Sequence, residues 1–414
     1  MFFSQKGLLL ALLSIVTAAC AHATPWSSPA TGHNLEIRCL EPDAAATPAT
    51  SIPVIFYLEN LASPRVGTDS DDAIIADFRA DGYLVAVLDY AHDPRACVPS
   101  INRDFIALRS QLQKKTLLAG RAIDPAHVFI VPAGCRLKRE VVFYRDTDRT
   151  LGMDIIYPSH PAAPMGAVLE FSCDNANRMG NYSLDFCTDT LLPAAACEGF
   201  AAAMADHPVA APYKGFDAMP ACAWKIKAAV RTLRAESPAL ALNGRIVPAG
   251  FSRGSGMALM LATTMDHSEF DHHGEHPGTD SRVQGAVVLS GRFTYLDLLP
   301  DDKMIPRYEK AWGSRASNPE VWRDQGALDY LDRALPMPLF LSISVSESPD
   351  ALHQMEVLRH RLAELHSPFI YAPEPEPRGH RVPINPTVLS AMFDYLHRQL
   401  DVAERSDSTS SLHP

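Results

Sequence analysis

Short apolar runs recur along the chain at 54–58, 84–88, 128–131, 167–171, 245–247, 286–289 and 339–343, each built largely from Val, Ile, Leu, Ala or Phe. Runs of this length without regular polar alternation mark strands buried on both faces of a parallel sheet. Longer stretches with helical spacing lie between many of them, as at 222–236 and 350–365. Strand–helix alternation of this kind predicts an α/β protein, with a mostly parallel central sheet flanked by helices. Two further runs, 141–144 and 153–157, are separated by the polar stretch 146–149. They are expected to form an antiparallel pair that leads into the sheet.

One short segment occurs twice. Ile130-Val-Pro-Ala-Gly134 returns as Ile246-Val-Pro-Ala-Gly250. In step with it, the run near Val54 corresponds to that near Ala167, and the run near Leu84 to 200–206. A five-residue coincidence and an old duplication both account for the match. Under duplication the first copy is degenerate. It has Cys135-Arg136-Leu137 where the second has Phe251-Ser252-Arg253, and so offers no nucleophile there.

The first residues have a different pattern. Lys6 is the one charge before an apolar run at 8–19, and Ala21-His22-Ala23 follows. The run is too short to span a bilayer, and the small-x-small triplet suits a signal peptidase, so an export signal ending at Ala23 is expected. Lipid attachment at Cys20 is the alternative, disfavoured by Thr17 where such sites usually carry Leu. The sequence is expected to divide into a signal (1–23), an N-terminal α/β segment (24–136), a larger α/β domain (137–403) and a Ser-rich disordered tail (404–414). No integral membrane segment is expected after signal removal, and the protein is expected to be secreted or periplasmic.

Composition narrows the function classes. The 414 residues are 47% hydrophobic and 21% charged, enough to bury a sizeable core and too apolar for general disorder. The net charge of −11 argues against nucleic acid as a partner, because that needs a basic face. Export would remove Cys20 and leave Cys39, Cys97, Cys135, Cys173, Cys187, Cys197 and Cys222, with no C-x-x-C pair. In an oxidising compartment some should pair, and the odd number leaves at least one thiol over. Cys39 with Cys97, and pairs within the Cys173 to Cys222 group, are the candidates.

The chemistry centres on Gly250-Phe251-Ser252-Arg253-Gly254, which fits G-x-S-x-G. The motif alone is a weak signal, but a strand-like run precedes it and a helix-forming run, 257–262, follows. A sharp strand-to-helix turn lifts the serine above the sheet edge, and glycines on either side let the backbone pass without a Cβ clash. From about 137 to 400 the sequence resembles the alpha/beta-hydrolase superfamily, and in its order of elements most resembles secreted esterases of the feruloyl and acetylxylan type. Pro248 departs from the pattern, since proline removes an amide from a central strand, and a bulge or bend is expected there.

The resemblance implies the order nucleophile, acid, histidine. It makes Ser252 the nucleophile and His380 the base. His380 lies after the short strand 369–371 and before the last helix, 386–400, whereas His353, His360 and His366 fall on or beside a helical pattern. It places the acid at Glu347, with Asp350 as the rival; Asp350 also suits the N-cap of the following helix. It puts oxyanion amides at Arg253 and at Cys173 and Asp174, where many members carry His-Gly-Gly and this chain has Ser172-Cys173-Asp174-Asn175. Neither a metal nor an organic cofactor is implied. The cluster from Asp266 to His276 contains metal-ligand types, yet reads as a solvated loop or substrate rim. The expected function is serine hydrolysis of carboxylic esters, small or linked to a polysaccharide. A peptidase with the same triad and a catalytically silent binding protein are the alternatives.

Overall fold

The computed structural model describes residues 22–43, 51–60, 71–90, 98–118, 120–145, 147, 150–171, 191–208 and 219–401. The expected signal up to residue 21, the lipidation candidate Cys20, the tail 404–414, Cys97, Cys173, Asp174 and Cys187 lie outside them. The signal's expected end, Ala23, falls at the second residue of the first strand.

Two sheets organise the chain. The first contains β1 (His22–Ser27), β2 (Asn34–Leu40), β3 (Ile52–Glu59), β4 (Leu84–Asp89) and β5 (Ile123–Pro132), with helix α1 (Asp71–Ala80) between β3 and β4 and α2 (Val98–Gln113) between β4 and β5. The second begins with β6 (Cys135–Arg145), β7 (Thr150–Pro158) and β8 (Met165–Phe171). It continues through α3 (Leu192–Cys197), β9 (Ala201–Ala205), α4 (Ala221–Ala235), α5 (Ser237–Leu240), β10 (Leu242–Phe251), α6 (Arg253–Thr263) and β11 (Ala286–Leu289). It ends with α7 (Ile305–Trp312), α8 (Pro319–Asp324), β12 (Leu339–Ser342), α9 (Pro349–Glu364), β13 (Phe369–Tyr371) and α10 (Pro386–Leu400). The apolar runs of the sequence fall on β3, β4, β5, β8, β10, β11 and β12. The runs 141–144 and 153–157 lie in β6 and β7, which pair antiparallel.

The sheets share a plan. The first has the order β1-β2-β4-β3-β5, and the second runs β6-β7-β9-β8-β10 before adding β11, β12 and β13. Directions match as well: the first two strands are antiparallel, the second is antiparallel to the fourth, and the third is parallel to both its neighbours. The five-residue match occupies equivalent places, because Pro132 pairs with Leu58 and Pro248 with Leu169. The two segments part company at their ends. After Gly134 (φ +70) the chain enters strand β6, whereas after Phe251 it turns into helix α6.

Pro248 does not bend its strand. It lies in register opposite Leu169, and the irregularity falls upstream between Leu242 and Ile246, where Gly244 has φ +80. Alternate residues of a parallel strand bond to opposite neighbours, so one proline removes a donor toward one neighbour and leaves the other ladder intact.

Alternation along the second sheet divides its side chains between two cores. Ala167, Leu169, Phe171, Ile246, Val288 and Leu341 face α4, α6 and α9. Val168, Val247, Ala249, Val287 and Phe340 face the side of α3 and α10, and that core continues into β3, β4, β5 and α2 of the first sheet. The N-terminal unit therefore buries α10 and α3 between itself and the large sheet. A separate aromatic cluster of Tyr295, Tyr308, Trp312 and Trp322 fills the segment between β11 and β12. Among the described residues no helix is long and apolar enough to cross a membrane.

The expected disulfides are not formed where they can be followed. Cys39, Cys135 and Cys197 are buried free thiols, so the pairing of Cys39 with Cys97 does not occur. Cys222 Sγ lies 3.3 Å from Met257 Sδ and is not paired with Cys197. These thiols pack as small apolar side chains, and burial pushes the thiols of Cys39, Cys135 and Cys197 above their usual range.

Candidate active site

Strand β10 ends at Phe251, helix α6 starts at Arg253, and Ser252 forms the turn between them with φ 55° and ψ −118°. A non-glycine residue in that region is strained, and the surroundings must hold it there. Its amide donates to Leu289 O at 3.2 Å, and its carbonyl accepts from the Ser255 amide (3.2 Å) and hydroxyl (2.6 Å). The two glycines are a steric requirement. A Cβ on Gly250 would lie 2.2 Å from the carbonyl carbon and oxygen of Gly254, and one on Gly254 would lie 2.1 Å from Phe171 O. The first turn of α6 thus presses against the ends of β10 and β8 at once.

Three side chains from different parts of the chain meet above this turn. His380 Nε2 is 2.8 Å from Ser252 Oγ, and His380 Nδ1 is 2.6 Å from Glu347 Oε2. The imidazole also lies against the Phe251 ring, with 4.6 Å between centroids. Glu347 follows β12, and its carboxylate is 2% exposed. Oε1 accepts the Ser348 amide at 2.8 Å, while Oε2 also accepts the Ser290 hydroxyl at 3.0 Å. Burial alone would raise the pKa of this carboxyl. The hydrogen bonds from His380, Ser348 and Ser290 outweigh burial and hold it below the usual carboxylate range. Glu347 is therefore an anion that fixes which imidazole nitrogen carries the proton toward it.

Asp350 is elsewhere. It occupies the first turn of α9, with Oδ2 3.6 Å from an Arg292 guanidinium nitrogen, and it does not cap the helix. Ser348 is the N-cap, its hydroxyl accepting the Ala351 amide at 3.3 Å. Arg253 is the first residue of α6, and its guanidinium lies 3.4 Å from His207 Nδ1. Cys173 and Asp174 lie outside the described residues, so only Arg253 of the expected oxyanion amides can be placed.

The cluster from Asp266 to His276 is largely exposed, as expected of a solvated loop, but it is tied to the protein at Phe270 and Asp271. Lys227 and Arg231 of α4 have side chains 1% and 0% exposed, and both reach Asp271, at 3.2 and 3.6 Å. Lys227 Nζ also donates to His267 O at 3.1 Å, and the His273 ring stacks on Trp224 with centroids 3.8 Å apart. The loop carbonyls and Asp271 thus face two buried cations, although Arg231 Nη1 has no hydrogen-bond partner among the described residues. No metal-binding group is present among the described residues. Replacing Asp271 with alanine should lower stability by about 3 kcal/mol, because it strands two desolvated charges. Urea denaturation followed by fluorescence checks this; a change below about 0.5 kcal/mol would contradict it.

Ser290 has no sequence signature. A serine just past a strand's apolar run is common, and only the fold brings it to Glu347. Solved structures share the fold. A truncated carbohydrate esterase from gut microbiota superposes with a TM-score of 0.53 at 16% identity, over 64% of this chain and 95% of its own. A bifunctional GH43-CE protein of Bacteroides eggerthii gives 0.53 at 18% identity, over 64% of this chain and 35% of its own. In the comparisons with family models and with curated proteins, nothing matches. At these identities the likeness is one of fold: this chain is built on the α/β architecture of solved esterases.

Proposed function

We propose that the protein is a serine hydrolase of carboxylic esters, acting on acyl groups carried by carbohydrates. The observation that carries the reading is the continuous chain Ser252 Oγ, His380 Nε2, His380 Nδ1, Glu347 Oε2, with links of 2.8 and 2.6 Å. A serine hydroxyl is a poor nucleophile until a base takes its proton, and this arrangement supplies one held in the correct tautomer. Ser252 Oγ attacks the ester carbonyl carbon as its proton passes to His380 Nε2. Glu347 stabilises the resulting imidazolium. The alcohol leaves with that proton, and water activated by the same nitrogen then releases the acid and frees Ser252. The Arg253 amide, at the positive end of α6, is the proposed donor to the oxyanion, together with amides of Cys173 and Asp174, which lie outside the described residues. The carbohydrate substrate is supported by the shared fold with the carbohydrate esterase from gut microbiota.

We read the N-terminal unit, in the same spirit, as a nucleophile-free copy of the first five strands. The shared strand order and the matched Pro132–Leu58 and Pro248–Leu169 pairs support this. Arg136 then stands at the place of Ser252, inside a strand rather than on an elbow.

The reading is tested by turnover of aryl acetates and acetylated xylo-oligosaccharides. The wild-type protein should release acetate from both. Glu347→Gln should lower kcat on the order of 10^3-fold, because the imidazole loses its orienting anion. Asp350→Asn, which touches no reacting group, should stay within about 2-fold. Failure of the wild type to hydrolyse any ester would overturn the proposal, and loss of activity in Asp350→Asn alone would move the acid.

A further inference from the structure

His380 sits on a segment without regular structure, between β13 and α10, that would wander unless tied down. One buried carboxylate closes both of its ends. Glu374 Oε1 accepts the Glu376 amide at 3.0 Å, and Oε2 accepts the amides of Ile384 and Asn385 at 2.6 and 2.8 Å. Glu374 is 1% exposed, and its charge is met by backbone amides. Its own backbone extends the sheet edge, donating to Ile343 O at 2.9 Å and accepting the Val345 amide at 3.0 Å. Glu374 is therefore fixed to the turn that carries Glu347 while its side chain grips the segment that carries His380.

The middle of the segment is held from the same turn. Ser346 Oγ accepts the Gly379 amide at 2.8 Å, one residue before His380, and Ser344 Oγ accepts the Arg378 amide at 3.3 Å and donates to Glu376 O at 3.2 Å. From outside, α2 of the N-terminal unit adds Arg103, paired with Glu376, and Asn102, whose Nδ2 donates to Pro383 O at 3.5 Å. An uncompensated buried carboxylate is expensive. Here the three amides compensate it, and in return two distant points of the loop are brought to one place. We propose that Glu374 is a positioning residue that, with Ser346, sets the distance from His380 to Ser252 and Glu347. This rests on the triad reading above.

The test uses the full chain and an aryl acetate. Glu374→Gln keeps the size but turns one acceptor into a donor facing an amide. Its kcat should fall about 30-fold with KM within about 2-fold, since a small displacement of a general base is felt mainly in the chemical step. On a His380→Ala background the same substitution should change the residual rate by less than about 2-fold, because a residue acting through the imidazole has nothing left to position. Should Glu374→Gln fold poorly, Ser346→Ala, at an exposed position, should lower kcat about 5-fold at unchanged Tm. An unaltered kcat in Glu374→Gln, or equal losses with and without His380, would overturn the proposal while leaving the ester-hydrolase reading intact. A His380→Ala variant as active as wild type would overturn both.

Discussion

Replacing Ser252 with alanine should remove about 10^4-fold or more of kcat for any ester substrate while leaving KM and stability near wild type. In the proposed mechanism Ser252 Oγ forms the covalent bond, and without it His380 and Glu347 have no proton to move. Triad members act as a unit, so a second substitution at His380 should add little to the loss. A residual rate above the uncatalysed one is expected from the remaining amides and binding contacts. Stability should hold, because the hydroxyl contributes only its bond to His380, and the alanine Cβ already fits the strained turn that the Ser255 and Leu289 bonds maintain. The result is read from steady-state kinetics together with a thermal melt. A drop of less than about 10-fold would show that the serine is not the nucleophile.

Gly254→Ala should be severely damaging. Its Cβ would stand 2.1 Å from Phe171 O, a backbone atom at the end of β8 that no rotamer change can move. Either β8 or α6 must shift, and both carry the site. Overpacking against backbone costs more than the usual 1–3 kcal/mol of a core insertion, so about 4 kcal/mol is expected, with loss of most soluble protein at 37 °C. Gly278→Ala is the control. Nothing lies within 4 Å of a Cβ there, and the change should stay within about 0.5 kcal/mol. Urea denaturation of the pair checks both. Equal stability of the two variants would mean that the elbow has room the structure does not show.

The parts legible in the sequence are those with strong local signals. The apolar runs of β3, β8 and β11 can hardly be anything but buried strands, and a serine flanked by Gly250 and Gly254 announces a close backbone crossing. The geometry brings Ser252, Glu347 and His380 together from positions that the family resemblance implies. What stayed hidden depends on neighbours distant in sequence. Asp271 sits in a segment with the composition of a solvated loop, and only the buried Lys227 and Arg231 show that its carboxylate is their counter-ion. The oxidising compartment expected from residues 1–23 makes disulfides the natural reading of the cysteines, but Cys39, Cys135 and Cys197 are buried free thiols. Pro248 looked like a bulge because the missing donor is a local fact, whereas which neighbour it faces is not. Ser290 and Glu374 are ordinary residues in ordinary places until the chain folds back on them. The shared plan of the two sheets was hinted at by five residues, and its extent is seen only in the strand pairing.

The central claim is that Ser252 becomes acylated. The direct measurement is intact-mass and peptide mapping of the protein after treatment with a fluorophosphonate, alongside Ser252→Ala. One adduct per chain, on the peptide containing Ser252 and missing in the variant, is the predicted result. No adduct on the wild-type protein, or an adduct that persists in Ser252→Ala, would contradict it.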